Sequence, residues 1–225
     1  MIRLRDIGCR SVRRRTYPVR GVNLDEISES IDANTTVEGG KAGQTSLSFE
    51  SEEKRTTLFG GITVDREIVL DYTIETLLPE LSRGGVPPAV QVQYDRFYSN
   101  LCLHEANHAR IYFAAIDLMI SVKDPKKFGL IYSESNKIQD EYDRISNHGI
   151  LEGTVLGPPT EVHDFSKWVS EAIRSLTELS GAGYGPRPVP VVSMKYCRYC
   201  GHRIAPLAIF CRSCGRRLSA SLARP

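Results

Sequence analysis

Two groups of residues in this 225-residue chain have the types and spacing to hold a metal. The first is His104-Glu105-Ala106-Asn107-His108. Histidines four apart on a helix lie one turn apart on one face, so both imidazoles reach a single Zn²⁺ at about 2.0–2.1 Å. Glu105 stands beside the first ligand without competing for the ion, where it can take a proton from water and return it to a leaving amine. Zinc lowers the pKa of water toward about 7, which makes hydroxide available at neutral pH. Packing alone does not account for these histidines, because buried ring nitrogens without a hydrogen bond or a metal are costly.

The second group is Cys197-Arg-Tyr-Cys200-Gly201 and Cys211-Arg-Ser-Cys214-Gly215, with ten residues between the pairs. Two such knuckles close a tetrahedral site of four thiolates, and the glycine after each second cysteine permits the left-handed backbone that turns N–H groups toward sulfur. A closed site has no open position, so this zinc is structural. His202 reads as a surface residue, since four thiolates already complete the shell. About thirty residues with only Ile204, Leu207, Ile209 and Phe210 for packing need that metal in order to fold. The expectation is two Zn²⁺ per chain, one catalytic and one structural.

A catalytic zinc needs a third protein ligand and an open position. Spacing leaves His148 and Glu141 as alternatives, on nearly the same side of a following helix. Asp143 fits an acceptor behind a ligand imidazole, and Tyr142 fits a donor to a developing oxyanion.

These side chains must be carried by definite elements. Phe97, Leu101, His104, His108, Ile111, Ala115, Leu118 and Val122 recur by threes and fours, which predicts a long helix over about 89–122 with Asn100, Asn107 and Arg110 on its opposite face. A second helix is expected from about Ser135 to Asn147, stopped by Gly149, and a third over 160–179. Upstream, Tyr17-Pro18-Val19 reads as a strand and Leu24, Ile27 and Ile31 as a helix face. Residues 34–45 read as a loop, and 46–50, 55–59 and 62–76 as strands of a sheet. The Gly- and Pro-rich run from Ser180 onward reads as a linker. The segmentation is therefore a basic N-terminal segment (1–16), a main domain (17–179), a linker (180–193) and a zinc ribbon (194–218).

The stretches Leu103-His-Glu-Ala-Asn-His-Ala-Arg-Ile-Tyr112 and Asp140-Glu-Tyr-Asp-Arg-Ile-Ser-Asn-His-Gly149 resemble the bacterial family described as a predicted secreted zinc-dependent protease, domain of unknown function 922. That family pairs His-Glu-x-x-His with a later Tyr-Asp-x-x-Thr-x-His-Gly, and Ser146 here keeps the hydroxyl of the Thr. Tyr17-Pro-Val-Arg-Gly21 and Leu78-Pro-Glu-Leu81 resemble the family's opening strand and sheet end, so the resemblance spans about residues 17–160. It implies an α+β, zincin-like fold with an N-terminal antiparallel or mixed sheet, His148 as third ligand beside His104 and His108, and Tyr142 and Asp143 as site residues. The tail resembles the short zinc ribbons appended to many prokaryotic proteins.

Composition bounds the rest. Residues 1–20 hold seven Lys/Arg against one acid and residues 195–225 seven against none, leaving fifteen against twenty-six between them. Arginines near a zinc held by four cysteines offset its thiolate charge, which accounts for the basic tail better than nucleic-acid binding does. Neither a signal-peptide run nor a membrane-length apolar stretch occurs, and four of the six cysteines form Cys-x-x-Cys pairs. The family label implies export, but these features lead to the expectation of a cytoplasmic protein. The functional expectation is a zinc metallopeptidase acting on a peptide or protein, with a ribbon that docks a protein partner. The alternative is a non-enzymatic zinc-binding regulator or nucleic-acid adaptor on the same scaffold.

Overall fold

In the computed structural model the described residues are 2–6, 11–37, 41–57, 61, 63–158 and 161–178, with the backbone of 195–196 and 203–204. The linker, Cys9, His202 and the four ribbon cysteines lie outside them.

The sheet is organised around one long strand. Strand β4 (Thr63–Leu81) pairs antiparallel with β3 (Gln44–Thr57) along one edge. Its other edge carries, in tandem and both parallel to it, β1 (Ile2–Asp6) against 66–70 and β2 (Val12–Val19) against 74–81. The sheet is therefore mixed, and the basic N-terminal segment is part of it rather than a separate arm. Strand β3 also differs from expectation: Ser51-Glu52-Glu53-Lys54, left between two short strands, continues one 14-residue strand with mostly exposed side chains.

Ile68, Leu70, Tyr72, Ile74 and Leu78 alternate onto one face of β4, as the twofold pleat requires, and all are buried. Helix α1 (Leu24–Asn34), capped by the Asn23 side chain, buries Ile27 and Ile31 against Tyr17, Val19, Leu78 and Leu81. Helix α2 (Pro88–Val122) begins on prolines, whose missing N–H is no loss in a first turn, and lays Ala109, Tyr112, Ala115, Ile116 and Met119 on the sheet.

Helix α3 (Pro125–Ser146) starts ten residues earlier than its periodicity suggests. Pro125 occupies the first turn, the Asp124 carboxylate accepts the Lys126 N–H at 3.2 Å, and Phe128 and Ile131 are buried. Helix α4 (Ser166–Glu178) packs Val169 and Ile173 with Ile111, Ala114 and Tyr142. Because α3 and α4 cover the side of α2 away from the sheet, Asn107, expected on an outer face, is buried. Strands β5 (Lys195–Tyr196) and β6 (Arg203–Ile204) form a small antiparallel pair at either end of the segment containing Cys197 and Cys200. No helix among the described residues is long and apolar enough to cross a membrane. The whole is an α+β arrangement of a mixed sheet and long helices.

Candidate metal centre

His104 and His108 lie on the buried face of α2, and both are less than a tenth exposed. Asp143, from the last turn of α3, meets them. The Nε2 atoms of the two imidazoles are 3.1 Å apart, and Asp143 Oδ1 lies 3.0 Å from His108 Nε2 and 3.3 Å from His104 Nε2. These separations are near the edge of a ligand tetrahedron around Zn²⁺, about 3.3–3.4 Å for bonds of about 2.0–2.1 Å.

The far side of each ring decides what faces the centre. Gln139 donates its amide N–H to the His108 carbonyl at 3.0 Å, which leaves its Oε1 to accept from His108 Nδ1. Glu152 Oε2 stands 2.6 Å from His104 Nδ1, and a carboxylate only accepts. Both neutral rings therefore carry their proton on Nδ1 and present a bare Nε2. Two ring lone pairs and a carboxylate oxygen converge with no donor among them, a set that calls for a cation. The His104, His108 and Asp143 group can hold a metal. Without one, a proton serves: burial alone would depress His104, but Asp143 and Glu152 raise it to about 9. Burial likewise opposes ionisation of Asp143, yet His104, His108 and Lys41 hold it far below the usual carboxylate range.

Glu105 lies on the sheet side. Its carboxylate accepts from the Thr45 hydroxyl at 2.7 Å, and a Cβ placed at Gly43 would come within 2.8 Å of its Oε1. Burial pushes the Glu105 carboxyl up, against the opposing pull of His108, His104 and Thr45.

Several expected site residues occupy other places. His148 is 55% exposed, and its Nδ1 approaches the outer oxygen of Asp143, Oδ2, at 3.2 Å. Asp143, expected behind a ligand, is instead the group within ligand distance of both imidazoles. Glu141 pairs with Arg144 at 2.6 Å on the exposed side of α3, away from the centre. Tyr142 is fully buried, stacked on His104 and Trp168. Its hydroxyl donates to Glu152 at 2.7 Å and accepts from Asn107 at 3.0 Å, so it braces the His104 partner from behind rather than facing a substrate.

Glu152, Gln139, Thr45 and Lys41 were not singled out in the sequence. Gln139 lies four residues before Asp143 on one face of α3, a spacing that offered a signal; Lys41 comes from a loop, Thr45 from β3 and Glu152 from a single 3-10 turn (Ile150–Glu152), and only the fold reveals their approach. Lys41 Nζ donates to Asp143 Oδ2 at 2.8 Å.

Residues 14–121 match the model of a family described as "Bacterial protein of unknown function (DUF922)", and residues 193–218 match a zinc-ribbon domain. The chain carries a DUF922 domain and a C-terminal zinc ribbon. The DUF922 match takes in the sheet from β2 onward and α2 with His104, Glu105 and His108, and ends before α3 supplies Asp143 and His148. The zinc-ribbon match spans Cys197, Cys200, Cys211 and Cys214 and implies a structural zinc there. No curated protein and no solved structure matches the chain.

Proposed function

We propose that the DUF922 domain is a zinc-dependent hydrolase of peptide bonds, zincin-like in its plan, with His104, His108 and Asp143 as metal ligands and Glu105 as general base. The observation that carries this reading is the convergence of the Nε2 atoms of His104 and His108 and a carboxylate oxygen of Asp143, 3.0–3.3 Å apart, in a largely buried site. Zinc there would supply a Lewis acid that acidifies water and polarises a carbonyl. Glu105, raised by burial, is suited to take the proton of the attacking water and pass it to the departing amine. Glu152 and Gln139 hold the two imidazoles in the right tautomer and orientation, and Tyr142 holds Glu152.

A second ligand set, with His148 beside His104 and His108, is favoured by one observation: His148 is held at φ 52° between Asn147 (φ 50°) and Gly149 (φ 82°). Such a backbone is strained for histidine and tends to occur where a side chain must be aimed.

Glu105→Gln is the test of the hydrolase reading. The variant should bind zinc at His104 and His108 as the parent does and lose peptide hydrolysis by at least about 10²–10⁴-fold. Full activity in the variant would remove Glu105 from the mechanism.

A zinc held by four cysteines has no open position, so we propose a docking role toward a protein partner for the matched ribbon, and localisation in the cytoplasm.

A further inference from the structure

We propose that Lys41 is a catalytic residue of this centre, its ammonium donating to the substrate carbonyl oxygen as negative charge develops there. The assignment rests on the hydrolase reading above.

Lys41 is placed with more care than an ordinary loop lysine. The Thr35 hydroxyl donates to its carbonyl at 2.7 Å, and the Tyr17 hydroxyl donates to the next carbonyl, that of Ala42, also at 2.7 Å. Tyr17 is buried on β2 and Thr35 caps the end of α1, so two rigid elements fix this short stretch. Gly43 follows and lies against the Glu105 carboxylate, leaving no room for a side chain. Thr45 then bonds the same carboxylate. Residues 41–45 thus run from Asp143 to Glu105 across the sheet side of the centre.

The ammonium reaches Asp143 Oδ2, the oxygen turned away from the two imidazoles. Its side chain is 40% exposed, whereas His104, His108 and Glu105 are buried, so Lys41 stands at the open edge. Asp143 is only 18% exposed and already faces His104 and His108, so the pinned Lys41 backbone delivers its ammonium to a carboxylate that has other partners. Oδ2 also has His148 Nδ1 at 3.2 Å, so Asp143 keeps a partner when Lys41 turns to another anion. A cation carried on a pinned backbone at the mouth of a buried site is suited to stabilise an oxyanion. In the step itself, water oxygen bonds to the carbonyl carbon and the carbonyl π pair moves to oxygen. Lys41 donates a hydrogen bond without giving up its proton, and the water proton goes to Glu105. When the C–N bond breaks, that proton leaves with the amine.

The test uses the full-length, zinc-loaded protein and two matched tripeptide libraries, one phosphinic (tetrahedral and anionic) and one ketomethylene (planar and neutral). Lys41→Met should weaken the tightest phosphinate by about 10²-fold and the matching ketomethylene by less than about threefold, with zinc content and Tm unchanged. Lys41→Arg should restore part of the loss. Unchanged phosphinate affinity in Lys41→Met would overturn the assignment. So would equal loss of both ligands together with zinc, which marks a purely structural tie. Failure of the wild-type protein to bind either library would overturn the peptide-hydrolase reading, and this assignment with it.

Discussion

The chemistry of the centre is set by which atoms lack protons. Gln139 and Glu152 engage both Nδ1 atoms, so as neutral rings His104 and His108 have only lone pairs to offer one another and Asp143. Burial works against it, but Asp143 and Glu152 raise His104 to about 9, so His104 should hold a proton at neutral pH in the metal-free protein. Zinc has to displace it, and binding at about pH 7.5 should release close to one proton, measurable by calorimetry in buffers of different ionisation enthalpy. The sign for stability follows. A histidine raised from about 6.5 to about 9 stabilises the metal-free fold fully below about pH 6.5, and that contribution is lost as pH rises through about 9. The gain in Tm on adding zinc should therefore grow across that interval; a gain that shrinks, or binding without proton release, would contradict the tautomers assigned here.

At the scale of elements, the decisive junction is the end of α3, where Asp143 sits in the last turn and three successive left-handed residues, Asn147 to Gly149, turn the chain back. With Asp143 as ligand, Asp143→Asn should lower zinc affinity at this centre by well over tenfold, while His148→Ala lowers it by less than about tenfold. The reverse order, read from competition with a chromogenic chelator, would establish the His148 set instead. This junction also shows what the sequence could and could not tell. The spacing of His104 and His108 and the apolar stripe that buries them were legible, because helical periodicity fixes neighbours one turn apart, whereas Asp143, on another helix, was expected behind a ligand rather than at ligand distance itself. The first half of α3 was not legible, since Asp124-Pro125 reads as a turn after α2 while an N-terminal proline in fact suits a helix start. Tyr142 was legible as a site residue but not in direction: its hydroxyl turns to Glu152, ten residues on, and only the turn at 147–153 brings that carboxylate back under His104. Lys41 and Thr45 come from a loop and a strand end, and no local pattern reports that they meet α3 and α2.

For the molecule as a whole, the two metal motifs divide the work. The main domain has a core between the mixed sheet and α2, to which Phe128, Ile131 and Leu176 of α3 and α4 add, and a further apolar cluster among α2, α3 and α4. The ribbon has few apolar residues and depends on its zinc. Cys102 is not part of the His104, His108 and Asp143 group: it is buried, and burial pushes its thiol up to about 11, which disfavours the thiolate. The central claim, that the buried histidines and Asp143 form a second metal centre distinct from the ribbon, is tested most directly by counting zinc. Elemental analysis of the full-length protein after dialysis should find two zinc ions per chain, falling to one in His104→Ala. One zinc per chain in both proteins would contradict it.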